Sequence, residues 1–359
     1  MSTVKANNYY DASGGSNAQL YGVSMRNGGT AWVNRIINGD MRIDQRNAGA
    51  SITANDDTYA VDRFKTAASQ SSKLTAQRNA GSVTPPAGFS NYLGYTSSSA
   101  YSVGASDYFV CQQGIEGFNT ADLAWGTASA QAITLSFWVR SSLTGTFGGS
   151  LRNASADRSY PFTYTISAAN TWEQKTVNIA GDTSGTWGTG NGIGISLGFG
   201  LGVGSTLSGT AGSWAGANYR SATGATSVVG TNGATFYITG VQLEAGTVAS
   251  PFERRPYGEM LMLCQRYFQV YGGQSSAPNF QGYGSGDMNS VYPYPVEMRT
   301  APTGTTSGNW TKSNCGDPTA VHVGTTAFSV RTAVTSLGKF EVYPVSSAPI
   351  GKITLSAEL

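Results

Sequence analysis

Histidine is almost missing from this chain: His322 is the only one in 359 residues. That removes most routes to general acid–base or nucleophile–base chemistry built on an imidazole. Cysteine is scarce as well, with Cys111, Cys264 and Cys315 far apart and no CxxC pair. Neither an ordinary zinc constellation nor a disulfide framework is expected, and folding in a reduced cytosol is. Charged residues make up only 12% of the chain, about half the usual share, and the net charge is +2. Such a chain carries no electrostatic footprint for nucleic acid. It has no run of 18 apolar residues to cross a bilayer as a helix, so no membrane insertion is expected. The opening MSTVKANNYY lacks the apolar stretch of a secretory signal, which again points to synthesis in a cytosol. Neither GxxxxGK[ST] nor a GxGxxG opening a helix is present, and no cofactor is expected.

What the chain has is glycine (47 residues), aromatics (11%) and a 40% hydrophobic share. With abundant Thr, Ser, Ala and Asn, this composition suits short strands joined by tight turns. Aromatic content and low net charge argue against disorder. At roughly 150 residues per domain, the length corresponds to about two or three units.

Strand periodicity is plain in several places. Ile133, Leu135, Phe137 and Val139 alternate with polar residues, as do Phe162, Tyr164 and Ile166 with threonines. Strands are also expected at Tyr92–Tyr95, Tyr108–Cys111, Trp172–Ile179 and Ala234–Glu244, and Met41, Ile43 and Gln45 alternate after a turn at Asn38-Gly39-Asp40. In Ile193–Gly204 the apolar residues alternate with glycine or serine, giving one face nearly without side chains; tight packing against a neighbouring loop or sheet is the favoured explanation. Gly258–Val270 reads as a helix that is apolar almost all round, which must be buried in its own subunit or against copies of itself. Met260, Leu261, Leu263, Cys264, Tyr267 and Phe268 are the expected interface residues of a homo-oligomer. Beyond it, Phe328–Thr332 and Lys339–Val345 are strand-like.

The fold class expected is mainly β: an antiparallel jelly-roll sandwich, a short buried helix, and a small C-terminal β-domain. The expected boundaries are an extended arm at 1–33, the jelly roll at 34–257, the linking helix at 258–271 and the distal domain at 272–359. The arm is read as a docking segment, with a loose terminus as the alternative.

Catalytic motifs are thin. Gly194-Ile195-Ser196-Leu197-Gly198 matches GxSxG, but that motif needs a strand-to-helix elbow, and here it lies inside an alternating strand. Asn55, Asp56, Asp57 and Asp62 offer oxygen ligands of the kind calcium takes, with a polar turn as the plainer reading, so no metal ligand is assigned. No carboxylate pair stands out for glycoside cleavage. Binding chemistry remains: sugar C–H faces stack on flat rings, and sugar hydroxyls pair with amides. Trp187, Trp214, Asn218 and Tyr219, in Gly/Ser/Thr-rich loops, are the candidate glycan contacts, each with edge packing as the alternative. Trp310 and Tyr283 are secondary candidates.

Asn34–Ala50 (NRIINGDMRIDQRNAGA) followed by Tyr59–Phe64 (YAVDRF) resembles the opening of a domain found in tailed-bacteriophage fibre and appendage proteins. Phe236–Gly246 (FYITGVQLEAG), Ser250–Arg255 (SPFERR), Cys264–Tyr267 (CQRY) and Pro295–Pro302 (PVEMRTAP) resemble later blocks of the same family, in the same order. The resemblance implies a jelly roll like carbohydrate-binding modules, a helix associating about a threefold axis, and a small distal domain. It implies no shared catalytic residue. A homotrimeric virion protein is therefore expected, made in the host cytoplasm, attached to other virion proteins through residues 1–33, and recognising host surface polysaccharide or lipopolysaccharide without catalysis. The alternative is a purely structural head fibre, capsid decoration or neck adaptor; a polysaccharide-cleaving enzyme is the third reading.

Overall fold

The period-two alternation seen in the sequence becomes two facing sheets. The computed structural model describes residues 19–20, 23–24, 33–272, 280–321, 323–344 and 350–359. Most of the expected arm, and His322, lie outside these residues. The first sheet has six strands, in the spatial order Ser159–Ile166, Gly145–Arg152, Ile193–Val203, Tyr108–Glu116, Phe64–Ala68 and Thr58–Val61. The second runs Glu173–Ile179, Ile133–Ser141, Thr235–Ala245, Leu93–Ser97, Leu74–Arg78 and Ile52–Thr53. All their pairings are antiparallel. The molecule is mainly β, and these two sheets form the expected jelly-roll sandwich.

The inward residues of each strand fill one core. Phe137 and Val139 of the second sheet meet Phe162, Leu197 and Phe199 of the first, all buried. Phe137 packs edge-on against both Tyr164 and Phe199, at 5.0 and 4.9 Å between ring centres. Part of the outward face of Ile193–Val203 lies beneath a loop: a β-carbon at Gly200, or at Gly148 of the adjacent strand, would press on the Ser221 hydroxyl. That loop, running through 213–222, covers part of the first sheet's outer face.

Two local expectations are corrected. The turn at 38–40 forms, but the alternating Met41, Ile43 and Gln45 do not make a strand: 41–44 stay irregular and the chain turns again at 45–49, with Asn38 and Met41 at positive φ (61° and 58°). The Asn38 amide braces the turn, donating to the carbonyls of Ile43 and Asp62 and accepting from the Ile43 N–H. The helix spans only Tyr257–Gln265, and Phe268–Gly272 is a strand. The run Phe-Gln-Val-Tyr favours extended backbone, and Lys352–Ser356 offers it a complete antiparallel ladder.

Lys352–Ser356 is the centre of a three-stranded sheet flanked by Phe268–Gly272 and Thr303–Ser307. A second distal sheet pairs Phe280–Pro293 with Ala327–Pro344, which in turn pairs with Trp310–Ser313 and Thr319–Val321. The strand expected at 328–332 and the one expected at 339–345, as far as Pro344, are thus parts of one 18-residue strand, and Val345 lies outside the described residues. Phe280, Trp310, Phe328, Val342 and Ile353 form a separate small core.

Candidate functional site

Three tryptophans meet at one end of the sandwich. Trp125 follows a short 3₁₀ turn at Ala121–Leu123, Trp187 sits in the loop before Ile193, and Trp214 in the loop that covers the glycine face. Their rings pack edge to face: Trp125–Trp187 at 4.7 Å, Trp125–Trp214 at 5.2 Å and Trp187–Trp214 at 5.4 Å. Tyr160 closes the group against Trp214 at 5.2 Å. Each indole N–H donates to a backbone carbonyl, those of Gln131, Ser184 and Ala180 respectively, which fixes ring orientation. Trp125 is buried, and Trp187 and Trp214 are half-buried.

Beside them lies a cleft of about 200 Å³ walled by Trp125, Trp187 and Ile195, with Thr127, Gly188 and Thr189 around it. Aromatic walls and a rim of hydroxyl and peptide groups match what one sugar ring presents. The two expected tryptophans are brought together. Trp125 was not singled out from the sequence, because its short polar surroundings look like any turn.

Asn218 and Tyr219 lie on the same covering loop as Trp214 but face other partners. Tyr219 packs its ring against Gly209, and its N–H donates to the Ser159 hydroxyl. Asn218 Oδ1 accepts from Arg152 Nη1 at 2.9 Å, while Arg152 Nη2 donates to Gln112 Oε1 at 3.0 Å. Arg152 and Gln112 were also missed: within their strands they stand at ordinary outward positions.

Of the secondary candidates, Trp310 is buried in the distal core, and Tyr283 stands on a strand with 71% of its surface exposed. Ser196 lies inside the strand Ile193–Val203, its hydroxyl buried, and the strand runs on through Gly198. Residues 55–57 and Asp62 do not converge. Asn55 and Asp56 accept from the backbone N–H groups of Ser72 and Ala68, Asp57 pairs with Lys65, and the Asp62 carboxylate accepts from Gln45. Among the described residues no cluster of metal-ligating side chains is present.

The expected interface residues divide. Met260, Cys264, Tyr267 and Phe268 are buried within their own chain, the first three against Ile37 and Ile43. Leu261 and Leu263 are only partly covered, and their neighbour Met262 is 47% exposed. Leu263 lines clefts on both sides of the helix, one with Phe118 and Arg35, the other with Met262 and Val296. The open apolar side of this helix therefore consists of Leu261, Met262 and Leu263.

No protein-family profile matches the chain, and no curated protein matches it in sequence. Among solved structures it is similar to the enzymatically active domain of bacteriophage CBA120 tailspike protein 4, at 13% identity and TM-score 0.34, over 60% of this chain and 22% of that one. It is also similar to a family 4 carbohydrate-binding module (13% identity, TM-score 0.31, 58% of this chain and 98% of that one). A third likeness is to a sugar-binding protein of Bacteroides thetaiotaomicron, described there as putative (11%, TM-score 0.33, 59% and 100%). The chain spans about a fifth of the tailspike structure. Likeness at this level fixes neither a family nor a ligand.

Proposed function

We propose that this chain is a non-catalytic, glycan-recognising subunit of a tailed-phage fibre or related virion appendage. The observation that carries glycan recognition is the cleft between Trp125 and Trp187, whose ring orientations are locked by indole hydrogen bonds. A preset aromatic wall binds a sugar ring without paying for side-chain ordering. The virion assignment rests on the sequence resemblance of the blocks between Asn34 and Pro302. Three copies would associate through Leu261, Met262 and Leu263, and residues 1–33 would attach the assembly to other virion proteins. Repetition of a weak site in a trimer raises avidity when the sites engage one surface together.

The test is a bacterial surface-glycan array probed with the labelled protein, a Trp187→Ala variant and a Thr189→Trp variant. Thr189 is on the cleft rim and exposed, so an indole at that position blocks the cleft without replacing a buried side chain. Both variants should bind at least tenfold more weakly, on the scale of about 1.4 kcal/mol or more for one lost anchor contact. Binding by both at full strength would rule this cleft out. A well-folded wild-type protein that binds no glycan would instead favour the head-fibre, decoration or adaptor role.

A further inference from the structure

The outer face of the first sheet holds a cation with no anion to answer it. Arg152 is only 7% exposed, yet among the described residues no carboxylate lies within ion-pair distance of it. Both of its bonds go to neutral amide oxygens, those of Gln112 and Asn218. Directly across the strand pair, Ser196 presents a hydroxyl that is buried and has no hydrogen-bond partner. A second guanidinium, Arg220, lies close enough to repel Arg152 and stacks over the Tyr108 ring at 3.9 Å. Burial first, and Arg220 second, pull the Arg152 pKa down to about 10. The group stays charged at neutral pH but is held where charge is costly. Elsewhere arginines meet carboxylates: the buried Arg63 pairs with Glu358, and the partly exposed Arg158 pairs with Asp182.

A buried charge without a counter-ion is strongly unfavourable, and neutral amides offset only part of that. A guanidinium flanked by an amide and a free hydroxyl is the donor set for a planar carboxylate. The way in runs past Tyr108, Asn218 and Arg220, which are all partly exposed.

We propose that Arg152, with Gln112, Ser196 and Asn218, forms a second subsite that takes the carboxylate of an acidic sugar. Asn218 would turn aside to admit the carboxylate, which then accepts from Arg152 and the Ser196 hydroxyl. This rests on the glycan-binding reading above and narrows its ligand to acidic polysaccharides.

The experiment measures thermal stability of the full chain in tens of millimolar glucuronate, glucose or inorganic phosphate at matched ionic strength. Glucuronate alone should raise Tm, the rise should shrink with added salt, and Arg152→Gln should abolish it. Arg152→Lys guards against a folding defect: a folded Lys variant should retain charge but lose most of the shift, since it lacks the fork. No shift with glucuronate, an equal shift with phosphate, or an undiminished shift in a folded Arg152→Gln variant would each overturn the subsite. A protein that binds neutral glycans on the array but ignores glucuronate would keep the general reading and lose this one.

Discussion

Asp62 shows at single-residue scale what the sequence conceals. It was legible only as a polar residue near a turn, a conceivable calcium ligand. In the fold it is almost fully buried, and its carboxylate holds the Gln45 amide while Gln45 also donates to the Phe268 carbonyl. Burial drives its pKa up to about 6, and the hydrogen bonds from Gln45 and the nearby Arg46 charge only partly oppose this. Because the folded value lies above the ordinary 3.8, the native state holds the proton more tightly. The stabilisation is then full below about pH 4 and is lost as pH rises through about 6, a swing on the order of 2–3 kcal/mol. Asp62→Asn should flatten the dependence of unfolding free energy on pH over that window, measured by urea titration at pH 4, 5, 6 and 7. An unchanged slope would mean that the Asp62 carboxyl is not the source of the pH dependence. No amount of composition or spacing reveals this, since the effect comes from residues more than 200 positions apart closing over one carboxylate.

Among the elements, legibility tracked how local the cause is. Strands such as Ile133–Ser141 and Ile193–Val203 announce themselves by alternation, because one face must be dry whatever lies opposite. The end of the helix did not, because Phe268–Gly272 is extended only by virtue of a partner strand at 352–356. The outward glycines were read as marks of close approach, and the loop through Ser221 supplies it. Gly149 faces inward instead: a β-carbon there would collide with the Gly198 carbonyl and the Phe162 ring. Gly149→Ala should therefore cost about 2 kcal/mol or more, of the order of an overpacked core site, visible as a lower urea midpoint with unchanged slope. The partly covered side of the helix carries the proposed assembly. Leu263→Asp should give a folded monomer in sedimentation, because Leu263 lines the open clefts and is not in the buried set with Met260 and Cys264. A variant that still sediments as the wild-type oligomer would move the interface off this helix.

On the scale of the whole molecule, the blocks that carried the family resemblance converge on one junction and not on the tryptophan cleft. Asn34 ties to Val241 and Leu243, and Glu253 accepts from the N–H groups of Val33 and Asn34. Arg255 donates to the Asn34 carbonyl. Arg266, next to Tyr267, forms a two-pronged pair with Glu116 at 2.9 and 2.5 Å, and the Tyr267 hydroxyl donates to the same carboxylate. Arg299, from the last block, donates to the carbonyls of Asn191, Ala357 and Glu358, so it joins the sandwich to the end of the distal unit. The junction was readable because turns, prolines and paired charges cluster in short stretches there. The tryptophan cleft and Arg152 were less so, because their members come singly from distant loops and strands. Glu116 has a side chain only 2% exposed, so removing its cation leaves a buried charge that one phenol cannot satisfy. Arg266→Ala should then cost about 3 kcal/mol. It should also loosen the distal unit first, so that limited proteolysis cuts between Gln265 and Gly272 while the near-ultraviolet signal of the sandwich tryptophans persists. Adding Glu116→Gln to that variant should restore much of the loss, since the carboxylate no longer needs a counter-charge. If the double variant were no more stable than Arg266→Ala alone, the pair would not be what couples the two units, and the coupling would have to come from Arg299 and the strand pairing at Phe268–Gly272.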